Sequence, residues 1–411
     1  MRNTSKNTDK IPADVLLKCA ISEYQSSTNL QMAQILEKVS LKDKIKNESE
    51  FKKLYDKLLV DLGTYKNSLQ GKLNFNLLLH PEVKCKIIDF ILEIDKKKLI
   101  FNKRYLKFFF DHGFQLAAEE FISRSIDKES KLTHAEIYQA VRNVLIMNIL
   151  QFFLGVPLKI TPAVYAYSLL YPYTDNYLDN SNVSIEAKTN FNKRLSAILD
   201  GQELIPTNSF EKKVFSLVHQ IETQHSRVEY PEVFESLLLI QDAQIQSMEQ
   251  IRNKSITQNE ILLNSFYKGG SSVLADAFLV KGNLTLSQMH FSFNFGTFLQ
   301  LLDDISDAEV DKKDNNKTLF SYKNNNETID SEVKKLISYM FKFSIKDRHD
   351  TQSIAFMKES IFFCTLLMIM FVIGQNPKKL SKNLYKELES YSRVRLSFFK
   401  KVAKWVPALF V

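Results

Sequence analysis

The sequence predicts an all-α protein, a single large bundle of long helices, and three observations carry that prediction. The 411 residues contain only 10 Gly and 9 Pro. A sandwich, barrel or doubly wound sheet needs many more turn residues. Helix-start signatures recur: Thr133-x-x-Glu136 and Thr257-x-x-Glu260 are capping boxes, each able to satisfy backbone N–H groups that a first helical turn leaves open. Apolar residues make up 45% of the chain, enough to bury a large core.

The elements follow in order. Residues up to about 74 read as polar, lysine-rich helical segments of weak pattern. Lys107 to Ser125, with Phe108, Phe109, Phe110, Phe114 and Phe121, reads as one buried aromatic helix. The Thr133 box opens a helix that runs toward Gly155, with Pro157 beyond it. Thr161 followed by Pro162 is an N-cap with Pro in the first turn, and the helix it starts reaches Asp175 and Asp179. Pro172 predicts a kink just before those acids. Ser184 to Asp200 is amphipathic and ends at Gly201. A loop follows to Ser209, and Pro231 to about Asn253 is a further helix. The Thr257 box opens a helix through Lys268 and Gly269-Gly270 to Gly282. Two glycines inside a helix cost roughly 1 kcal/mol each relative to Ala, a cost tolerated where a backbone must come close to a ligand or another helix. Thr285-x-x-Gln288 opens the next helix, and Asp314 to Lys317 ends it. No Pro- or Ser-rich linker interrupts the later chain. The expected organisation is an N-terminal helical extension, residues 1–100, and one domain, residues 101–411.

The net charge is +8 and the pI about 9.0. The lysine runs are short and scattered and form no stripe, which argues against nucleic acid. The excess reads as a solvated surface with weak attraction to anionic membrane surfaces. Cys19, Cys85 and Cys364 are far apart with no CxxC pairing, which fits a reducing, cytoplasmic setting. The first residues lack the apolar core of a signal peptide. The apolar run from Ile361 to Ile373 is too short to span a bilayer and reads as a buried core helix.

The chemistry concentrates in acids placed within apolar patterns. In Gly296-Thr297-Phe298-Leu299-Gln300-Leu301-Leu302-Asp303-Asp304-Ile305-Ser306-Asp307, followed by Asp311, helical periodicity puts Gly296, Gln300, Asp304, Asp307 and Asp311 on one face, with Asp303 beside them. Like charges so spaced destabilise a helix unless a cation neutralises them. Oxygen-only ligand sets favour hard cations such as Mg²⁺. Asp175-Asn176-Tyr177-Leu178-Asp179 is a second acidic pair at i and i+4.

The DxxxD pair, Tyr267-Lys268-Gly269-Gly270-Ser271-Ser272 and Gln300-x-x-Asp303-Asp304-x-x-Asp307 together resemble class I isoprenoid synthases. The likeness is strongest to bacterial terpene synthases related to the squalene and prenyl-diphosphate synthases, and it covers roughly residues 105 to 400. The resemblance implies the isoprenoid synthase fold, helices around a central apolar cavity. It implies a linear prenyl diphosphate as substrate and a cluster of Mg²⁺ ions, three in number, held by Asp175 and Asp179 from one wall and by Asp303, Asp304 and Asp307 from the other. It makes Lys268, Arg194, Gln300 and Lys312 candidates for contact with the diphosphate. Tyr171 is a candidate to line the pocket, with Phe152, Phe153, Tyr267, Phe295 and Phe298. It also implies a homodimer. The first motif has Asn176 after Asp175, and no arginine pair follows it, as one does in chain-elongating prenyltransferases. The expected activity is therefore a terpene synthase. A head-to-head or chain-elongating prenyltransferase is the alternative, and a non-catalytic helical binding protein is the alternative of another class.

Overall fold

A computed structural model describes residues 11–27, 32–68, 80–129, 132–180, 182–252, 256–314, 316–322, 327–345, 347–348 and 350–410. Among these residues there are sixteen α-helices and no strand. In chain order they are α1 (Ala13–Gln25), α2 (Leu41–Ser68), α3 (Pro81–Lys96), α4 (Tyr105–Asp111), α5 (Phe114–Lys128), α6 (His134–Phe153), α7 (Pro162–Asp179) and α8 (Ile185–Leu199). There follow α9 (Ser209–Gln224), α10 (Pro231–Arg252), α11 (Gln258–Lys281), α12 (Leu286–Lys313), α13 (Asp330–Ser344), α14 (Gln352–Gln375), α15 (Lys382–Tyr391) and α16 (Phe399–Phe410). The chain forms two compact units, Met1–Glu23 with Glu120–Gln300, and Tyr24–Glu119 with Leu301–Val411.

Local sequence explains most helix starts. Both capping boxes form in full: Thr133 accepts from the Glu136 N–H and Thr257 from the Glu260 N–H, while each glutamate reaches back to the threonine backbone. Thr161, Ser184 and Asn208 cap α7, α8 and α9 through their side-chain oxygens. Helix α7 continues through Pro172 to Asp179.

In the first unit α7 packs against α6 and α9, and α11 against α6 and α10. Ala163, Val164, Ala166 and Leu169 of α7 and Val214, Val218 and Ile221 of α9 are fully buried. The glycines of α11 have a definite partner. A Cβ at Gly269 would lie 2.6 Å from the Gly296 carbonyl oxygen, and one at Gly296 would lie 2.0 Å from the Gly269 carbonyl oxygen. Helices α11 and α12 therefore cross with their backbones touching. That contact is the reason two residues of poor helix propensity stand mid-helix.

In the second unit α2 packs on α3, and α14 packs on α13, α16 and the 3₁₀ turn Leu396–Phe398. Trp405 of α16 stacks on Tyr55 of α2, with centroids 4.9 Å apart. The aromatic segment expected as one helix is two. Gly113 has φ +83°, a left-handed conformation that ends α4 before α5 begins. Only Phe114 and Phe121 of its five phenylalanines are fully buried. The start of α4 is capped from a distance: the buried Asp95 carboxylate accepts from Leu106 N at 3.2 Å and Lys107 N at 2.9 Å.

The apolar run from Ile361 to Ile373 lies inside a helix of 24 residues, α14. Among the described residues α14 alone is long and apolar enough to cross a membrane. Half of its most apolar stretch is buried inside the protein. Core helices of water-exposed proteins behave the same way, so one such helix is weak support for a span.

Candidate functional site

A cavity of about 80 Å³ opens inside the first unit. Helix α7 supplies Tyr167, Leu170, Tyr171 and Thr174, α8 supplies Leu195 and Leu199, and α10 supplies Leu237, Ile240, Gln241 and Gln244. Lys268 and Ser272 come from α11 and Gln300 from α12. The glycine crossing brings the last two helices' polar groups together. Lys268 precedes Gly269, and the Gln300 Cβ lies 2.5 Å from where a Gly269 Cβ would stand.

The Lys268 ammonium is half-buried and has no hydrogen-bond or ion-pair partner among the described residues. A lysine usually escapes this condition by reaching into water or pairing with a carboxylate. Here it lines a largely apolar void alongside three glutamine side chains. An anion entering the cavity would meet one full positive charge and amide donors.

Asp175 stands near the same wall, one residue beyond Thr174. Its Oδ1 accepts from Gln244 Nε2 at 2.9 Å and its Oδ2 from Gln139 Nε2 at 3.2 Å. Two neutral donors orient the carboxylate without neutralising it, and each oxygen keeps a lone pair for a cation. Gln241 points elsewhere, donating to Asn192 Oδ1 at 3.1 Å. The side chain of Asp179 lies outside the described residues.

The acids of α12 separate. Gln300 is the last residue of the first unit, and Asp303, Asp304, Asp307 and Asp311 belong to the second. Asp304 is buried, at 4% exposure, and lies within electrostatic reach of Tyr24, whose hydroxyl is pushed far up by burial, then by Glu332 and Asp304. Asp303 is half-buried and Asp307 exposed. The single acidic face expected from periodicity is thus divided by burial, and Asp304 faces the interior of its own unit. Asp311 ties down the following turn, accepting from Asn316 Nδ2 at 2.9 Å. Lys312 is exposed near the end of α12 and acts at a distance on Glu309, which is bound to Lys379 at 2.8 Å.

Arg194 has a structural task instead of a place in the cavity. Its Nε and Nη2 grip Glu211 at 2.8 and 3.0 Å, and Nη2 also donates to the Ile205 carbonyl at 2.7 Å. This bidentate pair fastens the loop before α9. Tyr171 does line the cavity, but the phenylalanines expected there do not. Phe153, Phe291, Phe295 and Phe298 form a ladder in the core, with successive centroids 4.8, 6.3 and 5.4 Å apart. The Tyr267 hydroxyl donates outward to Asp242 at 3.1 Å.

Two residues escaped the sequence reading. Gln139 sits on α6 in an unremarkable polar position, and only its reach to Asp175 reveals a role. Asp276 of α11 is fully buried among apolar neighbours. Its Oδ1 accepts from Asn143 at 3.3 Å and its Oδ2 has no partner. Burial pushes this carboxyl up to about 8, with the Asn143 hydrogen bond opposing only weakly, so it is protonated at neutral pH.

Among the described residues no group of three or more His, Cys, Asp or Glu side chains converges into a metal cage. Mg²⁺ does not require one: it commonly takes one or two carboxylates together with waters and substrate phosphate oxygens. The oriented Asp175 carboxylate is a suitable donor of that kind. Comparison with protein-family models, with curated proteins and with solved structures finds no match.

Proposed function

We propose that the protein is a Mg²⁺-dependent class I terpene synthase, which ionises a linear prenyl diphosphate and converts the allylic cation to a terpene. The observation that carries this reading is the unpartnered Lys268 ammonium beside Gln300, in a void walled by Tyr167, Tyr171 and aliphatic side chains, with the glutamine-held Asp175 at its edge. Each part has a task. Lys268 binds the leaving diphosphate and stabilises the charge that develops as the carbon–oxygen bond breaks. Gln139 and Gln244 orient Asp175. Asp175 is the ligand that this cavity's edge offers to a cation. When bound, Mg²⁺ neutralises the diphosphate so that it can leave. The tyrosine faces stabilise the cation and the aliphatic walls exclude the water that would quench it early.

At about 80 Å³ the void is smaller than the roughly 150 Å³ engineered cavity that accepts benzene. An isoprenoid chain therefore either widens this void or keeps part of its tail outside it.

The test is incubation with Mg²⁺ and prenyl diphosphates of rising length, read by mass spectrometry of the extract and by free diphosphate. The expected result is a hydrocarbon or alcohol with stoichiometric diphosphate. Lys268→Met and Gln244→Leu should each lower kcat/KM roughly 10- to 100-fold, with melting temperatures near that of the parent protein. Turnover undiminished in Lys268→Met would remove the central support. A longer diphosphate formed only with added isopentenyl diphosphate would turn the assignment to a prenyltransferase. A melting temperature unmoved by Mg²⁺ plus diphosphate would turn it to a binding protein, because any ligand of the native state alone must raise it.

A further inference from the structure

A second cavity, of about 190 Å³, lies wholly within the other unit. Four chain segments meet there. The stretch before α2 brings Glu37 and Lys38, and the first turn of α2 brings Asp43. The loop before α4 brings Phe101, α14 brings an apolar floor including Phe363 and Met370, the last residue of α15 brings Tyr391, and the chain just after it brings Arg393. The stretch before α2 is held there by a backbone bond from Val39 N to Ser390 O at 2.9 Å.

The charges at the mouth are arranged but unpaired. Arg393 uses its Nε on the Lys98 carbonyl at 2.6 Å, and its remaining guanidinium nitrogens have no partner among the described residues. Asp43 and Glu37 are within electrostatic reach of Arg393, yet neither forms an ion pair with it. The Tyr391 hydroxyl is also without a partner. Elsewhere in this unit the protein does close such pairs: Arg395 grips Glu48 at 2.6 Å and Lys358 holds Asp350 at 2.7 Å. A half-buried guanidinium presenting free N–H groups is the geometry that recognises a carboxylate in two-pronged fashion. Two exposed carboxylates within electrostatic reach of it suit an ammonium. The floor is apolar and the volume somewhat exceeds what a benzene ring fills.

We infer that this cavity is a binding site for a small zwitterion with an apolar body, an α-amino acid bearing an aromatic or branched side chain. Arg393 takes the carboxylate, Asp43 and Glu37 take the ammonium, and Phe363 and Met370 receive the side chain. Opposite charges on both sides make the site selective for the zwitterion over either half. Binding here involves neither Mg²⁺ nor diphosphate, so its success or failure is independent of the proposed synthase activity.

Titration calorimetry on the full chain, without Mg²⁺, tests the inference with L-phenylalanine, L-leucine, 3-phenylpropionate and phenethylamine. At least one amino acid should bind, and the two single-charge analogues at least 10-fold more weakly. Arg393→Gln keeps a donor for the Lys98 carbonyl, and Asp43→Asn keeps an acceptor for Ser40. Each should weaken amino-acid binding at least 10-fold while leaving the melting temperature of the unliganded protein unchanged. No binding of either amino acid, equal binding of 3-phenylpropionate, or undiminished binding by Arg393→Gln would each overturn it. The analogue series uses the parent chain, so it decides the matter even if a variant folds poorly.

Discussion

Replacing Gly296 by Ala should lower the unfolding free energy by about 3 kcal/mol, although alanine is the better helix former. Intrinsic propensity alone predicts a gain of about 1 kcal/mol at a helix interior. The opposing effect is steric. The new methyl would sit 2.0 Å from the Gly269 carbonyl oxygen, and that oxygen belongs to a helix backbone that cannot swing aside. Relief requires α11 and α12 to move apart, which strips contacts along the crossing. Gly270→Ala provides the comparison. Its methyl would meet the Phe293 ring at 2.3 Å, a closer look at side-chain resistance, because a ring can rotate where a carbonyl cannot. The expected order of stability is parent, then Gly270→Ala, then Gly296→Ala, measured by urea unfolding. A Gly296→Ala protein as stable as the parent would mean that the helices do not touch there. The same variant should also disturb ligand binding in the first cavity, since the crossing sets Lys268 beside Gln300.

The second large effect belongs to Asp276 and depends on pH. Its carboxyl stays protonated in the native state to about pH 8, whereas in the unfolded chain it ionises near its ordinary value of 3.8. The native state then holds a proton that the unfolded state has lost, so stability falls as pH rises between these two values. The contribution is complete below about pH 4 and gone above about pH 8. At 1.36 kcal/mol per pK unit the total is on the order of 5 kcal/mol. Asp276→Asn keeps the oxygen that accepts from Asn143 and cannot ionise. Near pH 4 it should be no more stable than the parent, because its added N–H groups find no ready acceptor. Near pH 8.5 it should be the more stable protein by several kcal/mol. Paired denaturation curves at the two pH values cancel the titrations common to both proteins. Parallel pH dependence in parent and variant would show that Asp276 is charged and solvated at neutral pH.

What could be read from the sequence was what neighbouring residues decide between themselves. The caps at Thr133, Thr161 and Thr257 are local chemistry, and they form as expected. The strain expected of Gly269-Gly270 also pointed correctly to a close approach, although not to which helix makes it. The break at Gly113 was missed because five nearby phenylalanines outweighed a single glycine in the pattern. Helix α9 is not among the expected elements, although Asn208 and Glu211 mark its start. The resemblance singles out Lys268, Gln300 and Tyr171, and the structure places all three on one cavity. Arg194 was misjudged because its partner Glu211 lies 17 residues away, a pairing no spacing rule foresees. Asp304 and Asp307 show the limit of a helical wheel: periodicity places both on one side, but only packing decides which of them is covered.

The small size of the void beneath Lys268 bears on how fast anything can occupy it. If a guest larger than the space enters by widening it, capture is governed by that opening and not by collision. Stopped-flow traces with a bulky ligand should then approach a ceiling as concentration rises, whereas inorganic diphosphate, which needs no opening for a tail, should keep a rate proportional to its concentration.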